Sequence, residues 1–264
     1  MLGPAGGHTE AVSITEIETV DIQGVRVATL WPTNALAEIE RLYDGDEPAM
    51  VFHVNTHTLN LAAKDPEYHR TLREADLVLN DGKGVIVAGR MKGVKFPADL
   101  NGNFFTPRLL ERAAERGWPT FLLGAKPGVA DHAAARLEAH FPGIDICGTR
   151  DGYFSPDEEE TVVKEINAAG TGLLLVGMGN PLQEKWLARC LGDTGARVGV
   201  GVGAFVDFTA GEIQRAPRWM NPQGLEWVYR LVREPRRMWN RYLVGNPTFL
   251  ARAARDAYKS RAPR

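Results

Sequence analysis

Residues 173–186 read LLLVGMGNPLQEKW. Residues 173–177 form an apolar run of strand length, the Gly-Met-Gly-Asn-Pro segment interrupts it, and a helical pattern starts at Leu182. The same succession of buried run, small or polar exit and amphipathic stretch recurs on both sides. Upstream, residues 50–55 precede THTLNLAAKDPEYHRTLREA, a helical pattern broken near Asp65-Pro66 because proline cannot continue a helix and restricts the residue before it. Residues 77–79 precede the exit Asn80-Asp81-Gly82-Lys83-Gly84 and the helical GVIVAGRM. Residues 120–123, 145–147 and 197–202 are further strands, with helices near residues 128–141, 156–169 and 182–191. Residues 25–30 read as the first strand, followed by a helix capped by Thr33 or Asn34 that carries Leu36, Ile39, Leu42 and Tyr43 on one face. Such alternation predicts an α/β fold, a mostly parallel sheet flanked by helices over residues 20–210.

From residue 211 the alternation stops. PQGLEWVYRLVREPRRMWNRYLVGNPTFLARAARDAYKS reads as two or three helices punctuated by Pro235 and Gly245-Asn246-Pro247, a helical C-terminal appendage over residues 211–264. Residues 1–19 read as a poorly ordered extension. The formal net charge of -2 hides an asymmetry: the appendage holds 12 Lys and Arg against 4 Asp and Glu, the remainder 19 against 29. The basic appendage also carries Trp219, Trp227, Trp239, Tyr229, Tyr242 and Tyr258. Interleaved arginines and aromatics suit an anionic membrane surface or phosphates better than they suit a merely solvated helical face. The acidic body offers no long basic groove for nucleic acid.

Hydrophobic residues at 44% and charged residues at 24% exclude disorder and fibrous repeats. Cys147 and Cys190 form no CxxC pair and lie near no histidine at ligand spacing, so neither a disulfide framework nor a zinc site is expected, and a reducing cytoplasm fits. The start, MLGPAGGHTEAV, lacks the regions of a signal peptide, and no apolar run of about 18 residues is long enough to cross a membrane.

In open parallel sheets ligands sit beyond the carboxyl ends of the strands, which directs attention to the strand exits. These hold Asn55, Thr56 and His57; Asp81 and Gly82; Gly124 and Lys126; Gly177, Gly179, Asn180 and Gln183; and Gly203. Asp81, on a glycine-flanked loop, can take a proton from a substrate hydroxyl, or it simply caps the next helix. Residues 177–186 supply backbone amides and a helix start able to hold a diphosphate, with Gln183 bonding sugar or phosphate, or they form an ordinary strand-to-helix turn. His53, inside the apolar VFHVN, is expected to be a hydrogen-bonded core residue. Asp207 is a further carboxylate near a strand exit. No acidic DxD pair lies in a metal-binding loop, so positive side chains must offset the charge on a departing diphosphate.

Taken together, VNTHTLNLAAKDPEYHRTLREADLVLNDGKGV, FLLGAKPGVADHAA, GTRDGYF, LLVGMGNPLQEKW, GVGAFVDFTAGEIQRAPRW and GLEWVYRLVREPRRMWNRYL resemble the WecG/TagA/CpsF family of glycosyltransferases in order and spacing. The resemblance implies a Rossmann-like core, a UDP-sugar donor, and a polyprenyl diphosphate-linked saccharide acceptor in cell-envelope or exopolysaccharide synthesis. It further implies a metal-independent reaction without a cofactor, at the inner face of the cytoplasmic membrane. Asp81 matches the family's proposed base, Gln183 its GxPxQE glutamine and Asn55 its asparagine after the second strand. Arg215, Arg218, Arg230, Arg233 and Arg237 are the expected diphosphate or head-group contacts.

The sequence departs from the family at His53-Val54-Asn55, where many members have Thr-x-Asn, and at Asp99-Leu100-Asn101-Gly102, where an arginine often precedes glycine. Two other readings are a nucleotide-dependent oxidoreductase, opposed by the missing strand-linked GxGxxG, and a non-catalytic membrane-docking subunit. Self-association into a homo-oligomer is left open.

Overall fold

The computed structural model describes residues 17–212, 239 and 243–261. The chain opens with a hairpin of β1 (Thr19–Ile22) and β2 (Val25–Ala28), paired antiparallel in a sheet of their own. Residues 25–30 are therefore not the first parallel strand. Gln23 and Gly24 both take positive φ, 56° and 87°, and a two-residue turn of this kind joins only antiparallel neighbours. The hairpin's alternation puts Val20, Ile22, Val25 and Val27 into the core.

Helix α1 (Pro32–Tyr43) begins at proline, whose missing N–H and preset φ suit the first helical position. Its cap is accordingly Trp31 with no side-chain bond, and not Thr33 or Asn34. The parallel sheet starts with β3 (Ala49–Val54). The broken helix that follows is α2 (Thr56–Ala62) and α3 (Pro66–Glu74), with Asp65 capping the second piece by accepting from Tyr68 N. Next come β4 (Leu77–Asn80), α4 (Lys83–Met91) and α5 (Gly102–Arg116). The sequence reading has no α5, because Gly102 opens it and Pro107 lies inside it, both signals that argue against helix.

Then follow β5 (Thr120–Gly124), α6 (Val129–His140), β6 (Ile146–Arg150), α7 (Glu159–Ala168), β7 (Leu173–Gly177), α8 (Leu182–Thr194), β8 (Val198–Gly201), α9 (Phe205–Ala210) and α10 (Gly245–Arg261). The six strands stand in the order β4-β3-β8-β7-β5-β6, all parallel. On one face α1, α5, α6 and α9 bury Ile39, Leu109, Leu137 and Phe205. On the other, α2, α3, α4, α7, α8 and the hairpin bury Leu59, Leu72, Val85, Val162 and Leu187. Phe249 and Ala253 of α10 belong to this second layer, so the C-terminal helical segment is anchored in the core. All six strands end at the same edge of the sheet, where β3 lies between β4 and β8 and the connections leaving the neighbours β7 and β5 run in opposite directions, to β8 and to β6. Ligands of open parallel sheets bind beyond this carboxyl edge.

Candidate active site

Asp81 follows β4 at this carboxyl edge, half-buried, its backbone N–H bonded to Val54 O at 2.9 Å. It does not cap α4. Gly82 occupies the cap position at φ 86° with no side-chain bond, which frees the Asp81 carboxylate for other partners. Those partners are two asparagine amides: Asn55 Nδ2 donates to Oδ2 at 3.0 Å and Asn101 Nδ2 to Oδ1 at 2.6 Å. Asn55 is itself the cap of α2, its Oδ1 accepting from the N–H groups of His57 and Thr58. Asn101 caps α5 in the same way, accepting from Asn103 N at 3.0 Å. Two helix starts thus converge on one carboxylate through their capping residues.

Gln183 sits at 2% exposure. Its Oε1 accepts from Gly179 N at 3.1 Å and Gly203 N at 3.0 Å, and its Nε2 donates to Glu184 at 2.8 Å. The amide ties the β7–α8 turn to the β8–α9 turn. Asn180 donates to the same Glu184 oxygen. Glu184 is 1% exposed, and burial pushes its carboxyl above the ordinary range although Gln183 and Asn180 donate to it. Buried Tyr68 is also pushed up, by burial and then by the charge of Glu184.

Three of the expected glycines stack across the strand ends. A Cβ on Gly124, at φ 143°, would lie 2.5 Å from the Gly177 backbone, and one on Gly177 would lie 2.8 Å from Gly203 O. Close approach of backbones accounts for glycine at Gly124 and Gly177, and positive φ for glycine at Gly179 and Gly203. Thr56 donates to Asn246 Oδ1 of the C-terminal segment at 2.7 Å, while His57 lies in the first turn of α2. Asp207 lies in the first turn of α9. His53 is buried as expected, against Phe105 of α5, but neither ring nitrogen has a hydrogen-bond partner among the described residues. Burial pushes its imidazole below the usual range against the opposing charge of Asp81. Arg215, Arg218, Arg230, Arg233 and Arg237 lie outside the described residues.

The structure thus gathers Asn55 and Asp81 directly, and Gly179, Asn180, Gln183 and Gly203 around a second, buried cluster. Missed in the sequence were Asn101 and Asp99, whose Oδ1 accepts from Gly82 N at 2.8 Å. Asn-Gly followed by a long apolar pattern is a cap signal, and it went unread because α5 itself did. Among the described residues no group of three His, Cys, Asp or Glu side chains is placed to hold a metal ion, and no helix is long and apolar enough to cross a membrane. In comparison with known families, the model of the glycosyl transferase WecG/TagA/CpsF family matches residues 20–263, nearly the whole chain.

Proposed function

The chain belongs to the WecG/TagA/CpsF family of glycosyltransferases, enzymes of cell-envelope polysaccharide biosynthesis, and from that premise we propose a specific reaction. A UDP-sugar donor transfers its sugar to a polyprenyl diphosphate-linked saccharide, with inversion and without a metal ion, and Asp81 is the general base. The acceptor hydroxyl oxygen forms a bond to the anomeric carbon as the bond from that carbon to the UDP oxygen breaks. Asp81 takes the hydroxyl proton, and UDP leaves with the bonding electron pair.

The observation that supports this most is the placement of Asp81. It stands beyond the carboxyl ends of the neighbouring strands β3 and β4, half-buried, with a neutral amide on each oxygen and no cation paired to it among the described residues. A carboxylate held this way keeps a lone-pair direction on each oxygen for an incoming hydroxyl. The described residues hold Lys126 at the β5 exit as one cation able to face a diphosphate, and the arginines of the appendage are the proposed remainder. The same arginines and their neighbouring aromatics would set the enzyme on an anionic membrane, where its lipid-linked acceptor resides.

UDP release from a panel of UDP-sugars, with and without the lipid-linked acceptor and in EDTA, tests the reading. Acceptor-dependent release that survives EDTA and falls at least about a hundredfold in Asp81→Asn is the expected result, within the range a general base contributes. Full activity of the variant removes Asp81 as base, and loss of wild-type activity in EDTA removes metal independence.

A further inference from the structure

Residues 98–101, which end the connection from α4 to α5, are strapped to the exit of β4 by three hydrogen bonds. Asn80 Nδ2 donates to Ala98 O at 3.0 Å, Gly82 N to Asp99 Oδ1 at 2.8 Å, and Asn101 Nδ2 to Asp81 Oδ1 at 2.6 Å. The middle bond holds the backbone on the far side of Asp81, and the last holds its side chain. Asn101 performs a second task with its other arm, since its Oδ1 accepts from Asn103 N at the start of α5. A side-chain amide carries its acceptor and its donors on separate arms, so an oxygen engaged by the helix start leaves only the NH₂ to face the carboxylate. Asn55 meets the opposite oxygen under the same constraint from α2.

We propose that Asn101 is a positioning residue for Asp81. Locked by capping α5, its amide sets the plane of the carboxylate against Asn55 and supplies a neutral donor where a lysine or arginine would hold back proton uptake through its charge. This role rests on the reading of Asp81 as the base. The titratable or charged groups around the cluster are His53 on β3, His57 in the first turn of α2, Lys83 at the start of α4 and Asp99 in the strap. Asp99 is pushed up, first by desolvation and, against the Gly82 bond, by the charge of Asp81.

Asn101→Asp separates the two tasks. Aspartate caps a helix about as well as asparagine, so the melting temperature stays close to wild type, while the donor to Asp81 is replaced by a second carboxylate. The expected result is a kcat at least about tenfold lower at neutral pH with the donor KM little changed. The acid limb of the kcat profile moves upward by about one pH unit, because a like charge disfavours the ionised base. In the same variant, without substrate, the ¹³C titration of the Asp81 carboxyl moves to higher pH. A wild-type kcat with an unshifted titration overturns the proposal, and so does an activity loss that follows a lowered melting temperature while the titration stays put. Asp81→Asn is run alongside: an active Asp81→Asn protein removes the base and the positioning role together. An inactive one beside an unaffected Asn101→Asp protein removes the positioning role alone.

Discussion

Glu184 sits among neutral partners, accepting from Gln183 and Asn180 with Tyr68 within electrostatic reach, and its carboxyl is pushed up by burial. A carboxyl raised in the folded state keeps its proton while the unfolded chain has already released one. Stability therefore falls as pH rises from the unfolded value toward the folded one. Glu184→Gln retains an acceptor for the two amides and removes the titration. It should melt above wild type at pH 8, with the difference closing toward pH 4, as thermal unfolding across pH would show. At the same scale, Asn55→Asp should keep the α2 cap and its stability but lose transfer activity. Asn55→Ala should lose activity and about 1 kcal/mol of stability in denaturant unfolding as well. Asp81 was legible in the sequence as either a base or a cap. That choice depends on whether a side chain points along its own helix or across to another, which local sequence does not encode.

The C-terminal helix shows what an element contributes beyond its charge. Phe249 of α10 is fully buried with Ala253 and Ala257, and Arg252 donates to Asn60 Oδ1, Leu59 O and Gln23 Oε1. Lys92, the residue that ends α4, meets Asp256 of α10 at 2.8 Å and Asp21 of the hairpin at 3.5 Å, so hairpin, α2, α4 and α10 form one tied group. Phe249→Ala should cost about 3 to 5 kcal/mol in denaturant unfolding, the range for truncating a core phenylalanine. Deleting everything from residue 212 would uncover this surface and confound a membrane test. The strands β3, β4, β5, β7 and β8 were legible because a strand buried on both faces is an uninterrupted apolar run. The hairpin was missed because β1 and β2 are four-residue strands whose defining event, positive φ at Gln23 and Gly24, involves one residue that is not glycine.

Across the whole molecule, an acidic body precedes a basic C-terminal region, and the described part of that region exposes Trp239, Leu243, Val244 and Tyr258. If the appendage seats the enzyme on an anionic bilayer, each arginine near the surface adds about 1 kcal/mol, screened by salt. Replacing Arg230, Arg233 and Arg237 together with Gln in the full chain should weaken binding to phosphatidylserine vesicles by about a hundredfold or more in a sedimentation assay. The folded core should be left intact. Undiminished binding by the triple variant would take the attachment away from these arginines, and absence of vesicle binding by the wild type would remove it altogether.

Composition, apolar period and glycine or proline punctuation determined the α/β class, the parallel core and the strand exits from which a site had to be built. These follow from local rules, because burial and turn geometry are written in a few neighbouring residues. Tertiary structure alone decided that Asn101, twenty residues from Asp81, completes the carboxylate's clamp, and that Gln183 bonds two loops together. It alone decided that α10 closes the core against the hairpin. Each of these depends on which atoms meet across the sheet's edge, a matter of strand order and helix docking over long separations.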